Sequence, residues 1–159
     1  MSTRSATSCA LFFAFAFSIP QMALLASEPT SAIEQQKMRH DHYKKLGAAF
    51  KEVRDESLSN SPDMAKLKHA AAFVTEASMD QGRWFPKGSG PEAGRTRALA
   101  VIWSKPEDFL AAQKLFSAAA PKLQAAADSG DVAAVRSSFG EVGKTCKNCH
   151  DNFRTPDEK

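Results

Sequence analysis

Only three of the 159 residues are cysteine, and neither sign of charge prevails: 21 Lys and Arg against 18 Asp and Glu leave a net charge of +3. The lysines are dispersed, and no basic stripe with interleaved aromatics appears, so the chain lacks the electrostatic footprint of a nucleic-acid or membrane-surface binder. There is no internal repeat, no low-complexity tract and no convincing strand pattern. With 43% hydrophobic and 25% charged residues, the composition is that of a single globular domain, not of a disordered or collagen-like chain.

Long apolar runs are also scarce, and the one present lies at the N-terminus. Four of the eleven phenylalanines fall between Phe12 and Phe17, inside an apolar stretch from Cys9 to Ile19. Arg4 precedes it, and Ala26 followed by Ser27, Glu28 and Pro29 closes it, so residues 1–26 read as a secretory signal. The stretch is too short to span the roughly 30 Å bilayer core as a stable anchor. It also has no polar face, which a core helix at the surface of a domain would carry. Leu24, at the third position before the cut, is larger than the small residue usual there. Removal of the signal leaves residues 27–159, a 133-residue domain of net charge +2 whose only cysteines are Cys146 and Cys149. The expected location is periplasmic, an oxidising compartment.

Four amphipathic helices are expected in that domain. The first covers about Ala32 to Glu56, with Tyr43, Leu46, Phe50 and Val53 on one stripe. The second starts at Ser61, Pro62 and Asp63, with Pro62 in the first turn, and runs to about Met79. Residues from Gln81 to about Ser104 lose periodicity and gather glycine and proline, as in a long functional loop. The third helix begins near Pro106, with Ser104 and Glu107 at capping-box spacing, and Pro121 should kink or divide it. Gly130 stops it and Asp131 caps the fourth helix, whose stripe is Val132, Val135, Phe139, Val142, Cys146, Cys149 and Phe153. The fold class is all-α, an antiparallel four-helix bundle.

Cys146-Lys147-Asn148-Cys149-His150 is a C-x-x-C-H pattern, too specific to be accidental in a chain with so few cysteines and only four histidines. Two thiols three residues apart on a helix can each add to a haem vinyl group, and the adjacent imidazole can then ligate the iron. A thioredoxin-type dithiol would need a βαβ setting, and a zinc site would need further ligands at paired spacing. A disulfide between Cys146 and Cys149 would close too small a loop to restrict the unfolded chain. Arg39 extends the first apolar stripe backward by one turn, where an unpaired charge is costly and a haem propionate would resolve the conflict.

The C-terminal segment from Val142 to Arg154 resembles the end of the class II c-type cytochromes, the family of the cytochromes c′, which carry their attachment motif on the last helix. Arg39, Trp84 to Gly90, Ile102-Trp103 and Gly130-Asp131 are supporting likenesses across the domain. The resemblance implies one covalent haem c on Cys146 and Cys149 with His150 as axial iron ligand. It implies that Arg39 and His40 touch the haem, that Ser89 and Gly90 lie beside it, and that Arg154 stands on the proximal side. It puts Tyr43 on the distal face, where low-spin relatives have methionine. A neutral tyrosine is a poor ligand, so the expected iron is five-coordinate and high-spin. Met38 and His42, about 140° and 100° around the helix from Tyr43, do not share its direction. Trp84, Phe85 and Trp103 read as packing residues, one of them a candidate haem wall. Binding of NO, with CO as a second gas, one-electron redox with a protein partner, and a homodimer through the first two helices are further implications; substrate turnover is not. The alternatives are a six-coordinate electron carrier of the c-556 type and, from another class, a zinc or dithiol protein without haem.

Overall fold

Ser31 opens the first helix by exchanging hydrogen bonds with Glu34: its Oγ accepts the Glu34 N–H at 3.2 Å, and Glu34 Oε2 accepts the Ser31 N–H at 3.0 Å. This reciprocal pair satisfies two amides that the helix itself cannot. The computed structural model describes residues 30–156; the signal read over residues 1–26 lies outside them. Helix α1 is Ala32–Leu58 and α2 is Met64–Asp80. Asp63 caps α2 by accepting the N–H groups of Ala65 and Lys66 at 3.0 and 3.1 Å. Pro62 therefore stands before the cap and not in the first turn as expected. The Asp63 N–H donates to Glu56 Oε2 at 2.8 Å, which ties the end of α1 to the start of α2.

The stretch after α2 is not one loop. It begins with a 3₁₀ turn, Gln81–Trp84, and ends with a short helix α3, Val101–Ser104, anchored by buried Ile102. Because Ser104 is the last residue of α3, it does not form the expected capping box with Glu107. Lys105 occupies the cap position of α4, Pro106–Ser129, without a side-chain bond, and Pro106 fills the first turn, where a missing N–H costs nothing. Pro121 does not divide α4. The helix continues through it, with Ala120 and Leu123 fully buried and Thr75 Oγ1 of α2 donating to the Ala120 carbonyl at 3.1 Å. Packing on both sides here outweighs the lost internal hydrogen bond. Gly130, at φ +79°, stops α4 in the left-handed region. Asp131 Oδ1 then accepts the Ala134 N–H at 3.0 Å to start α5, Val132–Phe153.

Helices α1, α2, α4 and α5 make the four-helix bundle. Helix α2 packs on α1 and α4, α4 packs on α5, and the α1–α5 contact is slighter. At that contact Phe50 and Phe139 stack with centroids 4.1 Å apart. The main core holds Val53, Leu67, Val74, Leu123, Val135 and Val142, all fully buried, with a seam of small residues including Ala71, Ala120 and Ala127. A second cluster of Ile102, Phe109, Ala112 and Phe153 closes the end of the bundle where α3 packs on α4 beside the last turn of α5. Cys146 borders the first cluster and Cys149 the second, so the attachment pair lies where the two meet.

Truncation should follow this division of burial. Leu123→Ala, in the core, should cost about 2–5 kcal/mol, whereas Leu115→Ala, on the exposed side of the same helix, should stay within about 0.5 kcal/mol. Urea unfolding of the two variants against the parent measures both.

Candidate functional site

The buried stripe of α1 continues past its apolar residues into polar ones: Gln36, Arg39, Tyr43, Leu46, Phe50 and Val53 follow one another at helical spacing. Arg39 is only 4% exposed. Its guanidinium donates through Nη1 to the Trp84 carbonyl at 3.1 Å and to Ser89 Oγ at 2.9 Å. Through Nη2 it donates to the Ser89 carbonyl at 2.8 Å and to Thr96 Oγ1 at 3.1 Å. Phe85 and Trp103 lie 4.9 and 5.7 Å from it. Gln36 Nε2 adds a bond to the Gly90 carbonyl at 2.7 Å. Two side chains of one helix thus hold the segment from Trp84 to Thr96, which has little regular structure of its own.

Every acceptor around Arg39 is neutral, and no carboxylate pairs with it among the described residues. Burial lowers its pKa from the ordinary arginine value, but an arginine stays charged. A buried cation surrounded only by dipoles is expensive, and an acidic group from a bound cofactor would offset it.

Tyr43 lies one turn further along and is partly buried. Its hydroxyl donates to Gln81 Oε1 at 3.3 Å. Its ring meets Trp84 edge to face at 5.0 Å and Phe85 at 6.1 Å. Trp84 is itself fixed by Nε1 donating to Asp80 Oδ2 at 3.1 Å and by His42 stacked against it at 4.7 Å and 6°. Across from Tyr43, on α5, are the thiols of Cys146 and Cys149, both free and half-buried. Desolvation first, and then Cys149, push the Tyr43 phenol far above its ordinary pKa, against a smaller opposite effect of Arg39, with Cys146 contributing least. Burial raises the Cys146 thiol, and burial with Cys146 nearby pushes Cys149 up to about 11. Both thiols are therefore protonated at neutral pH.

His150 follows on the exposed surface of α5, and its carbonyl accepts the Arg154 N–H at 3.3 Å. Arg154 is half-buried beyond the end of the helix, where residues 97–99 run antiparallel to it. Leu99 N–H donates to the Phe153 carbonyl at 3.0 Å, Thr155 N–H to the Arg97 carbonyl at 2.9 Å, and Ala98 bridges to Arg154. The segment held by Arg39 is thereby fastened to the end of the helix that carries the cysteines.

The structure brings together Arg39, Ser89 and Gly90 at the α1 clamp, and Tyr43, Cys146 and Cys149 between α1 and α5. It leaves His40 apart: that side chain is 78% exposed and stands 3.6 Å from Asp41. Ser89 serves Arg39 directly, whereas Gly90 serves Gln36 through its carbonyl and donates its N–H to Glu92 Oε1 at 3.1 Å. Sequence reasoning missed Gln36, Gln81, Thr96 and the His42–Trp84 stack. Gln36 alone had a readable sign, its place on the α1 stripe.

The donor set fits a covalent haem. Two unoxidised thiols sit one helical turn apart at the junction of two apolar clusters, an imidazole follows at the next position, and a buried guanidinium lacks a counter-ion. Among the described residues no group of three or more His, Cys, Asp and Glu side chains is arranged to hold a metal ion, and no helix is long and apolar enough to cross a membrane.

Residues 34–154 match the family model described as Cytochrome C′. A cytochrome c′ of Alcaligenes xylosoxydans xylosoxydans is 44% identical over 71 residues, 45% of this chain and 54% of the relative, so that match spans about half the relative's length. A cytochrome c′ of Pararhodospirillum photometricum is 36% identical over 114 residues, covering 72% of this chain and 85% of the relative. Among solved structures, a nitric oxide complex of a mutant cytochrome c prime from Alcaligenes xylosoxidans is similar with a TM-score of 0.73 and 28% identity, covering 82% of this chain and all of that one.

Tyr43 is the only tyrosine in the chain, which makes its environment directly measurable. Its folded-state pKa is raised above the value near 10 of an unfolded chain. The unfolded state therefore loses its proton first, and stability is complete below about pH 10 and declines as pH rises beyond it. In an alkaline titration, phenolate absorbance should appear only together with loss of helical circular dichroism. A phenolate signal near pH 10 in the intact fold would contradict the buried placement.

Proposed function

Because the chain belongs to the cytochrome c′ family, whose members carry covalently bound haem c, we propose that it is a periplasmic protein with one haem. Its iron is five-coordinate and high-spin, binds NO with CO as a second gas, and exchanges single electrons with a redox partner. It binds and carries; it does not turn over a substrate. The observation that carries this reading is the pair of half-buried thiols on α5 facing the desolvated, protonated phenol of Tyr43 on α1.

When bound, the haem supplies an iron with one open position and a one-electron couple. Cys146 and Cys149 would hold it through thioethers, and the His150 imidazole would ligate its iron. Arg39 offers its uncompensated charge to a propionate while keeping the 84–96 segment in place. Tyr43 occupies the opposite side and excludes water; as a neutral phenol it does not ligate. Arg154 stands beyond His150, where it can act on that imidazole and on ligands approaching from the same side. Met38 and His40, the neighbouring groups that could complete a six-coordinate iron, stand 41% and 78% exposed, and neither lies on the buried α1 stripe that carries Arg39 and Tyr43. That supports the open position over the six-coordinate alternative. Secretion rests on the signal at residues 1–26. The homodimer proposed through α1 and α2 would cover Ile33, Leu58 and Met79, which stand 66%, 64% and 64% exposed.

The absorption spectrum of protein matured in cells competent for haem attachment tests the reading. A Soret band with broad visible features in the reduced state is expected. Sharp reduced bands would establish the six-coordinate alternative, and no Soret band would remove the haem. In a Cys146→Ser, Cys149→Ser variant, haem should no longer stay with the chain on a denaturing gel. Cell fractionation with N-terminal sequencing checks the location, with a mature chain starting at Ser27 expected in the periplasmic fraction.

A further inference from the structure

The Tyr43 hydroxyl has a single proton, and among the described residues its one acceptor is Gln81 Oε1 at 3.3 Å. Gln81 is itself buried, 5% exposed, and its backbone is fixed at the end of α2 by its N–H donating to the Ala77 carbonyl. Trp84 lies three residues on in the same 3₁₀ turn, a spacing that aligns side chains on one edge. The turn thus grips Tyr43 at two points: Gln81 takes the hydroxyl, and Trp84, locked by Asp80 and His42, meets the ring. A Tyr43 side chain held in this way cannot also point its proton at a ligand on the Cys146–Cys149 side. Hydrogen-bond donors in the distal pocket are one of the features that decide how a haem treats dioxygen.

We propose that Gln81 is a specificity-determining positioning residue: by accepting the Tyr43 proton it withholds that hydroxyl from gas ligands and so biases the site against dioxygen relative to CO. The proposal rests on the reading that Tyr43 covers the open face of the iron. Substituting Gln81 by an apolar side chain leaves a desolvated hydroxyl without an acceptor, which is costly enough to turn it toward any polar ligand within reach.

The test uses the haem-loaded protein. With tyrosine isotopically labelled at Cζ, the sole tyrosine gives one carbon resonance, which should move in Gln81→Leu and in Gln81→Met, the second variant covering a failure of the first to fold. Flash photolysis and stopped-flow mixing then give the affinities for dioxygen and CO. Gln81→Leu should raise the dioxygen-to-CO affinity ratio about tenfold, the fold-change of one net hydrogen bond. The same substitution in a Tyr43→Phe background should change the ratio no further. An unmoved tyrosine resonance, an unchanged ratio, or an equal rise in the Tyr43→Phe background would each overturn the role of Gln81. Tyr43→Ala separates this from the underlying reading. If it accelerates CO association while Gln81→Leu does nothing, only the Gln81 proposal fails; if it leaves CO association unchanged, Tyr43 does not cover the iron and both fail.

Discussion

The site depends on one buried charge. Arg39 sits at a position where the α1 stripe calls for an apolar side chain, and its guanidinium is dehydrated without a carboxylate to answer it. Water is replaced by carbonyl and hydroxyl dipoles from Trp84, Ser89 and Thr96, so the segment that supplies those dipoles is drawn onto α1. The residual positive charge is then available to an anionic group of the cofactor. On the proposed reading, the group that organises the loop is also the one that would attract the anionic group of the cofactor.

The apolar side of the site follows a similar economy. The two hydrophobic clusters meet at Cys146 and Cys149, and Phe85 packs against both of them. A haem tethered at that junction adds its own apolar area to a domain whose α1–α5 contact is otherwise slight. The residues there are partly exposed in the protein chain alone: Tyr43, Phe85, Cys146 and Cys149 are all half-buried. Burying them further on the cofactor gives the hydrophobic effect a reason to favour the loaded state.

The helices and the attachment motif were legible in the sequence because their physics is local. A stripe at helical spacing, a cap and a thiol pair one turn apart are all written within a few residues. Arg39 was legible for the same reason, as a charge out of place on a stripe. Ser104 and Pro62 misled because a cap depends on where the preceding element ends, and α3 claimed Ser104 first. Pro121 misled because α2 and the core hold α4 together from outside. Gln81 and Thr96 were silent because their partners lie tens of residues away, and no period connects a loop residue to the helix that receives it. His42 reads as a surface residue from α1 alone; only the turn after α2 supplies the indole on which it stacks.

The strap from Trp84 to Leu99 has a consequence for the order of assembly. The bonds that fasten it span 50 residues between Arg39 and Ser89 and 58 between Arg97 and Thr155, whereas the helices are built from neighbours four apart. Local structure forms in microseconds, and closures of large sequence separation come later because they carry the loop entropy. The strap is therefore among the last parts to fasten. Until it does, the helix presenting Cys146 and Cys149 is already formed while the segment that packs beside Cys149 in the second cluster is still loose.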